Sequence, residues 1–472
     1  MNSVRSSIAF VVLVFFVGCS TYYQLNYEFS RNFETGQLLE AQRVLEANKK
    51  AEKSKARLLY YMNNGVVSSL LGEYERSNEH LEKAYLLGED YHKNYLNVAL
   101  SMVSNPNVIE YKGEDHEHLM VLYYKAINYL MLGDRELALV ECRRLNNKLL
   151  QLSDRYQSDF KYKQDAFIHN LMGIIYDADG DYNNAFIAYR NALNIYQDSY
   201  TKMFGLSAPD QLKKDLIRTA ALMGFENDKR KYEKQFDIEY VPVNGDRPEL
   251  VMFWNNGLGP VKSEWSINFT VVKGSGGAVT FVNEEYDFSF PFWLNDDDDA
   301  DGGLGDLEFF RVTFPKYVER PLMFDEALIT IGSGSSVYPM QLAENVNNIA
   351  FKELEQRMIK EFANSLLRFA IKKAAEESLR KEDEGLGAAL GILNAVTEKA
   401  DTRNWQTIPH SIYYARVPLE VGSNELTFKT MSGLDQEFDQ EHNFQFDVRK
   451  GQTHFHTFHS LEVSPTYLGR SF

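Results

Sequence analysis

The sequence predicts an α + β chain in two parts: an N-terminal all-α repeat solenoid, then a β-rich, sandwich-like domain interrupted by a helical hairpin. Three observations lead there. From residue 20 to about 235, apolar and aromatic residues recur at helical spacing, prolines are scarce, and glycines fall between the periodic segments. After residue 249 the pattern shifts to short runs rich in β-branched and aromatic residues, separated by turns such as Lys273-Gly274-Ser275-Gly276-Gly277. Between residues 341 and 382 the helical period returns.

The N-terminus has a different character. Arg5 precedes an apolar run from Ile8 to Val17 that ends in Phe16-Val17-Gly18-Cys19. A membrane-spanning helix needs about twenty apolar residues, and this run is half that, the length of a secretory signal. Residues 1–18 read as a signal peptide, and Cys19 as the acylated first residue of a lipoprotein. Bacterial lipoprotein signals resemble this pattern, although Phe16 stands where leucine is usual. The competing reading is an ordinary signal peptide with an incidental cysteine. Ser20, in place of the aspartate of inner-membrane retention, implies the outer membrane, facing the periplasm. Cys142 has no partner for a disulfide once Cys19 is lipidated.

The chain has 472 residues, enough for two or three domains with full cores. Its 67 Asp and Glu against 50 Lys and Arg argue against nucleic acid as a partner, since that requires a basic footprint. The same balance disfavours broad adhesion to anionic lipid, so a membrane contact is expected through the lipid on Cys19.

Residues 19–238 carry a self-similar unit. The clearest copy, Ala166 to Tyr196, contains Met172-Gly173, Tyr176, Gly180, Tyr182, Ala185, Tyr189 and Ala192. A second contains Gly65, Gly72, Tyr74, Ser77, Leu81 and Ala84, and a third Ala126, Tyr129, Gly133, Ala138 and Cys142. A weaker first copy uses Gly36, Ala41 and Leu45. These fall at the signature positions of the tetratricopeptide (TPR) repeat. Small residues let two helices approach, aromatics fill the gap between hairpins, and a left-handed glycine ends the first helix. No unit buries its apolar face alone, so the copies must stack and would offer a concave surface. Cys142 sits at a core position and reads as a small buried hydrophobe.

Residues 239–249, with two prolines, Asn244 and Gly245, read as a linker. The β-rich domain covers 250–472, with strands at Leu250–Trp254, Trp265–Val272, Phe309–Phe314, Ala327–Ile331, Ser411–Arg416, Glu425–Lys429, Asn443–Arg449 and Gln452–Leu461. The last two flank Lys450-Gly451, a tight-hairpin signal. A helical insertion spans about 341–400: Val346, Ile349, Leu354, Met358, Phe362, Leu366 and Phe369 share one face, and Gly385–Ala400 forms a second helix.

Several segments together resemble a group of functionally uncharacterised, TPR-containing bacterial lipoproteins. They are Tyr111–Glu117 (YKGEDHE), Ala126–Leu130, Leu132-Gly133-Asp134, Val140–Arg144, Gly257–Lys262 (GLGPVK), Phe314–Tyr317 with Arg320, and Thr397–Trp405 (TEKADTRNW). The resemblance spans most of the chain beyond the signal, and the last motif is its most distinctive. Members are often encoded near lipoproteins that activate penicillin-binding proteins, which implies a cell-envelope role. It brings no catalytic residues.

Residues 297–308 fit D-x-D-x-D-G-x₅-E, a calcium-loop pattern. Asp297, Asp299 and Asp301 would supply oxygens, Gly302 the sharp turn, Gly303 a carbonyl, and Glu308 a bidentate carboxylate. The flanks, Phe288–Trp293 and Phe309–Phe314, look like strands and not the helices of an EF-hand, so a solvated acidic loop is the alternative. Calcium is the one cofactor the sequence raises. His454 and His456 share a strand face, with His459 opposite, and read as exposed rather than metal-binding. Glu114, Asp115, His116, Glu117 and His118 lack the H-E-x-x-H spacing and read as acidic residues favoured at a helix start. Gly385–Gly391 is one residue too long for a dinucleotide fingerprint and follows charged helix instead of a strand. There is no Walker A or G-x-S-x-G motif, and no enzyme is expected. Arg403 and Trp405 read as a structural junction, or as an interaction hot spot.

The sequence therefore implies an interaction scaffold in the cell envelope, binding one or more envelope proteins and serving peptidoglycan synthesis or outer-membrane assembly. Its alternatives are a structural subunit of a larger envelope complex and a calcium-binding envelope protein.

Overall fold

The computed structural model describes residues 26–93, 109–153, 164–242, 247–273, 278–283, 288–293, 309–332, 336–357, 400–433, 437 and 439–464. Residues 1–25, with the expected signal peptide and Cys19, the acidic stretch 297–308 and residues 358–399 lie outside the described residues.

The helical part is a row of antiparallel hairpins: α1 (Tyr27–Glu34) with α2 (Leu38–Ala47), α3 (Arg57–Leu70) with α4 (Tyr74–Lys93), α5 (Asp115–Met131) with α6 (Arg135–Ser153), and α7 (Ala166–Ala178) with α8 (Tyr182–Ile195). A short π-turn (Tyr196–Tyr200) and α9 (Thr201–Phe204) lead to a fifth pair, α10 (Asp210–Leu222) and α11 (Glu226–Phe236). The fifth pair was not among the repeat copies read from the sequence. It turns at Gly224, left-handed like Gly36, Gly72, Gly133 and Gly180 at the other four hairpin turns.

Several of the repeat residues lie at close helix contacts. A Cβ on Gly65 would sit 2.4 Å from Leu81, and one on Gly173 2.4 Å from the Tyr189 ring, so each glycine permits a close helix crossing. Ala84, Ala138, Ala185 and Ala192 are fully buried, as is Cys142, whose thiol burial pushes far above its ordinary range. Tyr74 opens α4, and Tyr176 accepts a hydrogen bond from Arg143 at 2.8 Å, tying α7 to α6.

The two helices of each pair differ. α3, α5 and α7 are buried almost all round, whereas α6 and α8 bury one stripe and expose the other. The sequence explains this: Leu119–Tyr124 and Ala166–Ile168 are continuous apolar or aromatic runs, while α6 interleaves Arg135, Glu136, Arg143 and Arg144 with its core positions.

Among the described residues, the β-rich part contains three four-stranded sheets. The first has the order β12 (Thr453–Ser460), β1 (Glu249–Asn256), β9 (Ser411–Pro418), β8 (Gln341–Asn345). Its β1–β12 pair is parallel and the other pairs antiparallel. The second is β11 (Gln440–Val448), β10 (Gly422–Met431), β6 (Glu326–Ile331), β7 (Val337–Pro339). The third is β4 (Phe288–Trp293), β3 (Ala278–Asn283), β2 (Val261–Lys273), β5 (Phe309–Val318).

Alternation along β1 divides its side chains between two cores. Leu250, Met252 and Trp254 pack with Ile329, Leu426 and Phe428 of the second sheet, which makes the sandwich. Val251 and Phe253 instead join Phe167, Tyr196 and the rest of the helical core. The layers are therefore helices, first sheet, second sheet, and the first sheet is apolar on both faces.

Three expectations are corrected. Glu249 belongs to β1, so the linker ends before it. Residues 341–345 form β8, and helix begins at 346, so the insertion starts later than the periodicity suggested. Lys450-Gly451 does not close a hairpin: β11 pairs with β10 and β12 with β1, in different sheets. The turn is left-handed at Gly451, but both flanking strands pair by backbone with other strands and meet each other only through side chains.

Candidate functional site

The chemically dense part of the molecule is the face where the solenoid meets the β-rich domain. It begins at the start of α5. Glu114 precedes the helix, and Glu117 reaches back to accept the Glu114 backbone N–H at 3.0 Å, as the acidic helix start predicts. These carboxylates do more than cap. Glu117 Oε1 accepts the Trp405 backbone N–H at 2.6 Å, and its Oε2 accepts the Tyr111 hydroxyl at 2.8 Å. Glu114 pairs with Lys262 of β2 at 2.5 Å and with Arg357 of the helix that begins at 346. Between them, Glu353 accepts both the backbone N–H (3.0 Å) and Nδ1 (2.8 Å) of His116.

Residues 402–412 run through this junction without leaving the interior. Arg403 pairs with Asp401 at 2.7 Å, donates to the Ile109 carbonyl at 3.0 Å and lies 5.1 Å from the Tyr111 ring centre. Asn404 accepts from the Lys262 backbone at 3.1 Å and donates to the Pro260 carbonyl at 2.7 Å. Trp405, fully buried, packs 6.0 Å from Tyr124. Thr407 donates to Asn63 of α3 at 3.1 Å. Arg320 donates to the carbonyls of Gly259 and Gln406 and pairs with Glu34 of α1 at 2.8 Å. Four of the motif segments thus converge at one place: Tyr111–Glu117, Gly257–Lys262, Tyr317 with Arg320, and the described part of the last, Ala400–Trp405. Arg403 and Trp405 act as a junction within the chain.

Burial pushes every carboxyl here upward, and the neighbours decide the outcome. For Glu114, Arg357 and Lys262 overcome burial and hold the carboxyl well below its ordinary range. For Glu117, burial wins and the value rises, with His116 and the Trp405 and Glu114 N–H groups opposing it. His116 is raised: burial would lower it, but Glu353 more than compensates.

A second cluster lies at the other end of the interface. Arg416 of β9 reaches Glu249 at 2.5 Å, Asp177 at 3.0 Å and Asp215 at 3.3 Å. Arg218 of α10 shares both aspartates, and the repeat residue Tyr189 donates to Asp177 at 3.1 Å. Despite burial, Arg416 and Arg218 hold Asp177 below its usual value, whereas burial dominates at Asp215 and raises it.

Between the clusters, Asp165 caps α7 through the Ile168 N–H (2.8 Å), and Glu344 accepts the Tyr200 hydroxyl at 3.1 Å. Burial, with Asp165 beside it, drives Glu344 well above the carboxylate range. Both line a small cavity of about 20 Å³ together with His116 and Phe167, barely room for one water.

The face that a free solenoid would present to a ligand is therefore occupied by the chain itself. Asn63 of α3, Glu117, Tyr123 and Tyr124 of α5, and Phe167 of α7 contact Thr407, Trp405, Asn255, His459 and Phe253. The expectation of an open concave surface is corrected here. The cause is the two-sided apolar character of both the first helices and the first sheet, which neither part satisfies alone. Sequence reasoning picked out Lys262 and Arg320 only as members of motif segments, and missed Glu353, Asp177, Asp215 and Arg416 as site residues. For Arg416 the signal was a charged residue within an otherwise apolar run, Ser411-Ile412-Tyr413-Tyr414-Ala415-Arg416-Val417, whereas Glu353 and Asp215 lie beside other charges (Lys352 and Glu355; Lys213 and Lys214) and carry no such signal.

His454 and His456 are not exposed as expected; they are half-buried between the two sandwich sheets. Among the described residues, no group of His, Cys, Asp or Glu is arranged to hold a metal ion. Asp297, Asp299, Asp301, Gly303 and Glu308, expected as a calcium loop, and Cys19, expected as the lipidation residue, lie outside the described residues. No described helix is long and apolar enough to cross a membrane.

No family profile matches the chain, and no curated protein is significantly similar to it. Among solved structures, it is similar to MamA protein at 15% identity and a TM-score of 0.28, over 46% of this chain and 96% of that one. It is similar to BtubC from P. vanneervenii at 14% identity and TM-score 0.26, over 47% and 88%. A tetratricopeptide repeat protein from Parabacteroides merdae matches at 14% identity and TM-score 0.21, over 47% and 81%. The repeat assignment rests on the helix packing described above.

Proposed function

We propose that this chain is a cell-envelope scaffold, exported, acylated on Cys19 and held on the outer membrane facing the periplasm, where it engages another envelope protein. Support for the lipid anchor is the h-region of Ile8–Val17 ending at Cys19. The observation that carries the scaffold reading is the sealed inner face. A TPR-like solenoid whose inner helices are covered by its own β-rich domain leaves, among the described residues, its outer helices and sheet surfaces for partners. The outer helices carry Leu137, Val140 and Ile187, each more than a third exposed. Service to peptidoglycan synthesis or outer-membrane assembly is the specific form of this proposal, with a structural subunit of a larger complex as its close variant.

The test is crosslinking and affinity capture from gently solubilised membranes, comparing wild type with L137S/V140S/I187S and with C19S. The scaffold reading expects one partner in stoichiometric yield from wild type and its loss from the outer-face variant. An unchanged partner set in that variant would overturn the outer-face assignment. Membrane retention of C19S in high salt would overturn the lipid anchor.

A further inference from the structure

β11 and β12 form an arch: consecutive strands that face each other across the sandwich instead of pairing by backbone. Their inward side chains pair histidine with phenylalanine across the arch. His442 lies 4.5 Å from Phe458, Phe444 lies 4.8 Å from His456, and Phe446 lies 4.8 Å from His454, ring centre to ring centre. Each imidazole therefore meets a phenyl ring from the opposite strand. The neighbouring strands add only uncharged groups to this face. From β1 come Leu250 and Met252, beside His454 and His456, and from β10 comes Phe428, beside His442. Nε2 of His442 and Nε2 of His456 are both buried without a hydrogen-bond partner.

The charged groups nearby are engaged elsewhere. Lys429 pairs with Asp439 (3.5 Å) and Glu441 (3.7 Å), and Glu462 accepts from Gln440 at 3.4 Å. Strand alternation sends Glu441 and Asp447 to the outer side. Glu249 turns to Arg416 at the solenoid interface, and His459 faces α5, stacked on Tyr124. No carboxylate among the described residues meets the imidazoles of the arch. Neutral rings fit such a place well. At His454 and His456 an imidazolium loses hydration, gains no counter-ion, and repels a like charge two residues away on the same face. The phenyl faces return only part of that loss.

We propose that the β11–β12 arch is an acid-responsive hinge, in which protonation of His454 and His456 parts the two strands and uncovers the phenylalanine strip between them. Burial, with His454 beside it, pushes His456 down to about 4, and burial lowers His454 as well. Because the folded values lie below the ordinary one near 6.5, the open strands take up protons first as pH falls. Arch stability is therefore complete above the ordinary imidazole range and declines from about pH 6.5 towards pH 4. Linkage at His456 alone raises the opening equilibrium on the order of twentyfold between pH 7 and pH 5.

Hydrogen–deuterium exchange on the full-length chain in detergent, corrected for intrinsic rates, reads this directly. The expected result is a fall of at least about tenfold in protection across residues 440–460 between pH 7 and pH 5, and a flat profile in H442Q/H454Q/H456Q. If the triple variant does not fold, H456F replaces it and should lose most of the pH dependence. H459Q, on the opposite face, should keep it. Protection that is unchanged between pH 7 and pH 5 in wild type, or an equal fall in the histidine variants, would overturn the hinge.

Discussion

The two faces of the solenoid share one fold and have opposite fates. On the outer face, α6 and α8 follow the ordinary logic of a repeat protein, one apolar stripe inward and charges outward. On the inner face, α3, α5 and α7 are apolar on both sides, and ion pairs, rings and the buried segment 402–412 close over them. A repeat scaffold is usually judged by its groove. Here that face is taken up by contacts within the chain, so the proposed partner is expected on the outer helices.

Removing a buried charge from the inner face should break this contrast most sharply. Arg416→Ala leaves Asp177 and Asp215 buried with Arg218 as their remaining guanidinium, and should cost about 3–5 kcal/mol. The loss would appear as a lower denaturation midpoint in urea. Trp405→Ala empties a fully buried site and should cost a comparable 3–5 kcal/mol or so. Gly173→Ala acts within one hairpin, pressing a methyl group towards the Tyr189 ring, and should cost about 1–3 kcal/mol. On the outer face, Leu137→Ser should change stability by no more than about 0.5 kcal/mol. A reversal of that order would dissolve the distinction between the faces.

Acid offers a separate probe. Glu114 and Asp177 have folded values below the ordinary carboxylate range, so their contribution is complete above the unfolded value near 4 and is lost as pH falls through the folded one. Thermal melts should thus drop steeply below about pH 4, and Glu114→Gln should flatten that limb. An unaltered acid limb in that variant would contradict the assignment of Glu114 as a paired carboxylate.

Much of the helical part was legible because its packing is local. Gly173 against Tyr189, and the left-handed glycines at the turns, are sequence neighbours in the sense that matters for a hairpin. The fifth pair escaped notice because α11 is highly charged and buries only Tyr232. Strand positions were legible too, since β-branched and aromatic runs mark them. Partnering was not: Lys450-Gly451 has the local chemistry of a hairpin, yet the parallel β1–β12 pair is a long-range choice that no local signal encodes. The junction was half legible. Arg403 and Trp405 stood out as residue types, and Glu114–Glu117 as a helix start. Their shared location depends on contacts such as Trp405 with Glu117, 288 residues apart.

The central claim is that solenoid and β-rich domain form one cooperative unit because each covers the other's second apolar face. All four tryptophans, Trp254, Trp265, Trp293 and Trp405, lie in the β-rich half, while most described helix lies in the solenoid. Equilibrium urea unfolding followed by tryptophan fluorescence and by helical circular dichroism therefore reports the two parts separately. The account predicts coincident transitions. A helical signal that persists after the tryptophan transition is complete would show a solenoid that stands alone, and would contradict it.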